Sequence, residues 1–203
     1  MKQYPSISAE IQNIPCYAFD KLDGSNIRAE WDPKKGFHKF GTRHRLLGED
    51  EPVIGKSIAL IKNKYEDMHA ILKHTRTQRA ICFFELWGPN SAFGQHDPNE
   101  DQTVTLIDVS LFKKGYLPPK EFLDMFENID HASLLYHGNI NSTFVGDVKD
   151  GSLDGMGPEG VVCKGPFDRK TGMVTMFKVK RDSWYDRLRD YCKGNLELFA
   201  ELS

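Results

Sequence analysis

An α+β fold is what this sequence predicts, and three observations predict it. The apolar runs are short, rich in β-branched and aromatic residues, and bounded by Gly, Pro, Asn or Asp. Helical patterns fall between them irregularly, without a strand–helix–strand repeat. No Gly-, Ser- or Pro-rich linker divides the 203 residues, so a single domain over 1–203 is expected, with 182–203 as a helical tail.

The expected strands are Cys16–Phe19, Ala80–Leu86, Val104–Phe112, Leu134–Tyr136, Gly160–Cys163 and Val174–Val179. Ile58, Ile61, Tyr65, Met68 and Leu72 recur at spacings of three and four, which is one face of a helix. A second helix is expected over Pro118–Phe126, with proline in the first turn, where its missing N–H costs little. A third fits Asn141–Val148. In the tail, Trp184, Leu188 and Tyr191 share a face after Asp182 or Ser183 as the cap. Gly194-Asn195 breaks that helix, and Leu196–Leu202 forms a last turn or two.

An apolar content of 39% and a charged content of 28% are those of an ordinary globular chain. A net charge of -2 gives no overall attraction to nucleic acid, although 27 Lys and Arg leave room for one basic face. Cys16, Cys82, Cys163 and Cys192 form no CxxC pair and sit beside apolar residues, so buried free thiols in a reducing compartment are expected. No apolar signal core opens the chain and no run is long enough to span a bilayer, so a cytoplasmic location without membrane partners is expected. His38, His44 and His96 show no metal-ligand spacing.

Lys21-Leu22-Asp23-Gly24-Ser25-Asn26 follows directly on the first strand. A rigid strand fixes the base of a nucleophilic lysine, and Gly24 lets backbone approach a phosphate. Free lysine, with a pKa of about 10.4, attacks phosphorus only where desolvation, cations or a metal favour the neutral amine. Alone, the motif equally describes a surface turn with a solvated lysine. Four further segments add to it. Arg43, in Gly41-Thr42-Arg43 beyond a hairpin, suits bidentate phosphate binding. Glu85 is a carboxylate inside the apolar Phe83–Gly88 and needs a partner there. Glu159 opens Gly160-Val161-Val162-Cys163, which Lys164 ends. Lys178 and Lys180 share one side of a strand and repel unless an anion lies between them. A nucleophile, phosphate-neutralising cations and metal-binding carboxylates are the inventory that adenylyl transfer needs.

The order of these segments resembles the covalent nucleotidyltransferases, namely DNA ligases, RNA ligases and mRNA capping enzymes. Lys21–Gly24 looks like motif I, Phe83–Gly88 motif III, Leu106–Val109 motif IIIa, Glu159–Val162 motif IV and Phe177–Lys180 motif V. Asn26, where DNA ligases and capping enzymes have Arg, resembles the branch of phage and RNA-editing RNA ligases. The resemblance implies antiparallel sheets flanked by helices, with Lys21 carrying AMP as a covalent adduct. Lys178 and Lys180 would hold the α-phosphate and the departing pyrophosphate, and Arg43 would sit near the phosphate or the nucleic-acid end. Glu85 would contact the ribose, and Ile107 would take the place of an aromatic that stacks on adenine. Asp20 would contact the base through its backbone, and Asn26 belongs to the same ATP-binding set. Asp23 and Glu159 would organise Mg²⁺ or Mn²⁺. Only 23 residues follow Lys180, so no OB-fold is expected, only a short helical tail, and the chain is read either as a minimal ligase or as one that needs a partner protein or domain for substrate binding. The implied activity is ATP-dependent RNA ligation, joining an adenylated 5′-phosphate to a 3′-OH at RNA ends or in a nicked duplex. A minimal DNA ligase and a non-catalytic nucleic-acid-binding module are the alternatives.

Overall fold

A computed structural model describes residues 1–203. The strands are β1 (Pro15–Asp20), β2 (Ser25–Asp32), β3 (Gly36–Thr42), β4 (Leu46–Leu47), β5 (Ala80–Trp87), β6 (Thr103–Leu111), β7 (Gly115–Tyr116), β8 (Leu134–Asn139), β9 (Gly160–Asp168) and β10 (Met173–Lys180). The helices are α1 (Lys56–Lys64), α2 (Met68–His74), α3 (Pro119–Met125), α4 (Ser142–Asp150), α5 (Asp182–Cys192) and α6 (Leu196–Leu202). The chain packs as two compact units, each drawn from separated stretches of sequence. One takes Met1–Ser6, Gly24–Ala132 and Phe167–Val174, the other Ile7–Asp23, Ser133–Pro166 and Thr175–Ser203.

The first unit is built on a six-stranded sheet in the order β4-β3-β2-β5-β6-β7. Every neighbouring pair of strands in it is antiparallel. Alternation sends Ile27, Ala29, Cys82, Phe84 and Leu106 to the face covered by α1 and α2, and all five are buried. Ile58, Ile61, Tyr65, Met68 and Leu72 are buried together, as the spacing predicts, but on two helices and not one. The break comes at Tyr65, whose hydroxyl donates to the Val104 carbonyl and accepts the Leu106 N–H. Seating that ring against Phe84, at 4.8 Å, costs the helix its continuity.

The second unit holds most of a four-stranded sheet in the order β10-β9-β1-β8. Cys16, Ala18, Val161, Cys163, Phe177 and Val179 form its core with Ile140, Phe144 and Val148. The helix that supplies Phe144 and Val148 is capped by Asn141, whose side chain accepts the Phe144 N–H. The tail forms α5 and α6, but α5 is preceded by Arg181, which makes no side-chain cap, and Asp182 is its first residue instead. All four cysteines are free and buried, as expected. Burial pushes the Cys16 thiol up to about 11.

Candidate active site

The period of two that buries Phe177 and Val179 turns Lys178 and Lys180 to the other face of the second unit's sheet. Lys164 emerges on that same face of β9, its ammonium 4.8 Å from the Phe19 ring centroid. Lys21 follows β1, and its backbone N–H donates to the Gly160 carbonyl, so the ladder extends to the lysine itself. Gly160 adopts φ +135°, and a Cβ there would collide with the Val179 carbonyl. This glycine lets β9 begin hard against β10, with Glu159 immediately before it.

Glu159 sits at the centre of the charges. One carboxylate oxygen, Oε1, lies 2.7 Å from Lys21 Nζ and 3.2 Å from Lys180 Nζ. Glu159 and Lys180 are almost completely buried, whereas the Lys21 side chain keeps 21% of its surface exposed. A buried carboxylate bridging two ammoniums offsets a repulsion that would otherwise oppose folding. The anion expected beside the paired lysines is therefore a protein carboxylate, at least at Lys180. Lys178 donates to the Ser203 carbonyl at 2.7 Å.

Lys180 lies 3.3 Å above the Trp184 ring centroid. The same indole donates through Nε1 to Asp23 Oδ2 at 2.8 Å, which fixes the carboxylate of the lysine motif. Asp20 accepts the Gly157 N–H at 2.8 Å. Burial raises its pKa against that hydrogen bond. Asp23 and Glu159 are hard oxygen donors suited to Mg²⁺ or Mn²⁺, and no group of three or more His, Cys, Asp or Glu side chains forms a cage. Two carboxylates fit an ion that keeps waters and takes phosphate oxygens as its remaining ligands.

Burial lowers the Lys180 pKa from 10.5 to about 8, with Glu159 opposing the change and Lys21 and Lys178 adding to it. Between those values the unfolded chain binds more protons than the folded one, so stability should rise as pH increases from about 8 towards 10.5. Urea unfolding should show wild type gaining about 2 kcal/mol over Lys180→Met between roughly pH 7 and 9.5. Parallel pH profiles for the two proteins would contradict this account of Lys180.

The remaining predicted residues belong to the first unit. Asn26 pairs with Glu85 across β2 and β5, and Glu85 pairs with Thr105, so these side chains share the face opposite the helices. Asn26 donates to the Phe84 carbonyl while its buried side-chain oxygen has no partner. Ile107 lies where the β5–β6 register shifts, between the pairs Phe83↔Asp108 and Phe84↔Leu106. Arg43 is exposed in the turn after β3. On the same sheet face sit residues that the sequence reading passed over. Arg28 and Asp108 are buried, and Tyr4 donates to Asp108 at 3.2 Å with its ring 4.9 Å from that of Phe83. The sequence reading names Lys164 and His96 but gives them no role, and it does not read Trp184 as a hydrogen-bond donor; His96 Nε2 lies 2.8 Å from Ser25 Oγ. Charged residues at inward strand positions, such as Arg28 and Asp108, were the available signal. His96 had none.

Solved structures of Naegleria gruberi RNA ligase match this chain, three of them as follows. A mutant with ATP and Mn gives a TM-score of 0.66 at 18% identity, over 94% of this chain and 59% of that one. The ligase with PPi gives 0.66 at 16%, over 94% and 58%. Another mutant, with AMP and Mn, gives 0.65 at 16%, over 92% and 58%.

The chain shares the fold of that ligase.

This ligase fold spans just under three-fifths of the solved chains it matches. No family model and no curated protein matches the sequence. No helix is long and apolar enough to cross a membrane.

Proposed function

We propose that the chain carries out ATP-dependent RNA ligation through a lysyl-AMP intermediate on Lys21. The observation that carries this reading is the Lys21–Glu159–Lys180 cluster on a ligase fold: a partly exposed amine 2.7 Å from a buried carboxylate that also holds a second ammonium. Glu159 is positioned to accept a proton from Lys21. The neutral amine attacks the α-phosphorus of ATP, forming a P–N bond as the P–O bond to pyrophosphate breaks and the leaving oxygen takes the electron pair. Lys180 and Lys178 neutralise charge on the phosphates. A divalent ion held by Asp23 and Glu159 would supply charge neutralisation and a template for the phosphates. AMP then passes to a 5′-phosphate, and a 3′-OH displaces AMP to join the strands.

In the first unit, Glu85 serves the ribose, Asn26 and Ile107 the nucleotide, and Arg43 the phosphate or the nucleic-acid end; in the second, the backbone at Asp20 serves the base. RNA would be told from DNA through 2′-hydroxyls and A-form shape. Incubation with α-labelled ATP and Mg²⁺ or Mn²⁺ should label the protein covalently, and absence of label with ATP, GTP or NAD would refute the enzyme reading. Sealing should favour RNA-containing breaks over an all-DNA nick. Exclusive sealing of the all-DNA nick would make it a DNA ligase.

A further inference from the structure

The first unit carries a cationic cavity that adenylyl transfer does not use. It is an open cleft of about 250 Å³, lined by Lys2, Arg79, Lys113, Glu30, Ser110 and Phe112 among others. It lies at the end of the sheet where Ile81 pairs with Ser110. Four residues of extended strand, roughly 13 Å, separate Ile81 from Glu85.

Two of the cations, Arg79 and Lys113, are exposed beside one ring, and the third, Lys2, lies in the field of Asp108. The Arg79 guanidinium lies 4.7 Å from the Phe112 ring centroid, and Lys113 Nζ lies 5.4 Å from the same ring. The Phe112 N–H donates to the Arg79 carbonyl, which ties the two segments together. Lys2 donates to Ser110 Oγ at 3.2 Å and stands 3.9 Å above the Tyr116 ring. Buried Asp108 attracts the Lys2 ammonium, whereas no carboxylate offsets Arg79 or Lys113 in the same way. The one carboxylate of the cavity, Glu30, faces His38 at 3.6 Å. Three positive side chains against Glu30 in the lining and Asp108 behind Lys2 still leave a surplus of positive charge around a hydroxyl.

We propose that this cavity is a phosphate subsite. A guanidinium takes two phosphate oxygens at once, two ammoniums supply point charges, and the Ser110 hydroxyl can donate to a further oxygen. The volume admits a phosphate group together with part of an attached sugar. The proposal rests on this cavity alone and stands or falls apart from the ligase reading.

The test compares wild type with the double variant Arg79→Gln/Lys113→Gln. The probes are a 5′-phosphorylated oligoribonucleotide, its unphosphorylated counterpart and inorganic phosphate, over a salt series. The variant should bind the oligoribonucleotides about tenfold more weakly, with a log–log salt slope shallower by about 1.4 from the loss of two single-strand phosphate contacts. Arg79→Lys/Lys113→Arg, which keeps the charges, should retain most of the affinity, separating lost charge from lost structure. Labelling of Lys21 by ATP should be the same in all these proteins. Weakening that requires the 5′-phosphate identifies a terminal phosphate as the occupant, and equal weakening for both oligonucleotides identifies internal phosphodiesters. Loss confined to inorganic phosphate identifies free phosphate. Binding of all three probes by the double variant as by wild type, or binding of none by wild type, would overturn the proposal.

Discussion

Lys21→Ala should lose covalent labelling by α-labelled ATP by at least ~10³-fold while keeping the fold. Lys21 is the partly exposed amine of the buried cluster, whereas Lys180 is nearly fully buried against Glu159 and Trp184. Removing the Lys21 side chain leaves Glu159 paired with Lys180, so the stability cost should stay near 1 kcal/mol. Lys21→Arg sharpens the test. It keeps a cation beside Glu159, yet a guanidinium does not deprotonate at usable pH. It should therefore fold as wild type and also fail to label. Labelling of Lys21→Ala at the wild-type rate would move the nucleophile elsewhere.

Replacing Glu159 by alanine should produce the largest combined loss, in stability and in labelling. Its carboxylate is buried and meets both Lys21 and Lys180. Without it, Lys180 remains buried with no counter-charge at that point, and breaking a buried pair from one side costs about 3–5 kcal/mol. Some of that cost is relieved because Lys180 can shed its proton, its pKa already lowered to about 8 by burial. Loss of the carboxylate lowers that pKa further, so the variant should recover stability with rising pH from a lower starting pH than wild type does. Glu159→Ala/Lys180→Met should be less destabilised than the two single changes added together. Urea titrations of the four proteins at neutral and alkaline pH give both results. Strict additivity would show that the pair is not coupled.

The legible part of the fold was the part with strong local periodicity. Each of the six apolar runs is a strand, and the face Ile58, Ile61, Tyr65, Met68 and Leu72 is buried together. The interruption at Tyr65 was not legible, because no Gly or Pro marks it. It arises from a hydroxyl reaching β6, a contact about forty positions away. The short strands Leu46–Leu47 and Gly115–Tyr116 have too few residues to show a period. The passage of the chain between two compact units has no linker composition, since each unit gathers distant segments.

At the candidate site the same division holds. Alternation alone puts Lys178 and Lys180 on one side of a strand, and motif order singles out Lys21 and Glu159. The apolar run Ala80–Leu86 puts Glu85 on an expected strand and Asn26 closes the lysine motif, but their pairing with each other depends on the β2–β5 register. Trp184 reads as an apolar residue on a helix face. Its roles beneath Lys180 and on Asp23 follow from where α5 packs.

By itself, then, the sequence determined which side chains share a face in the elements with a clear period, such as Lys178 with Lys180, because strand and helix periods are local properties of the backbone. Only the tertiary structure decided that a single oxygen of Glu159 meets both Lys21 and Lys180. That meeting depends on β9 starting against β10 at Gly160, and close approach between strands distant in sequence is set by packing, which no local pattern encodes.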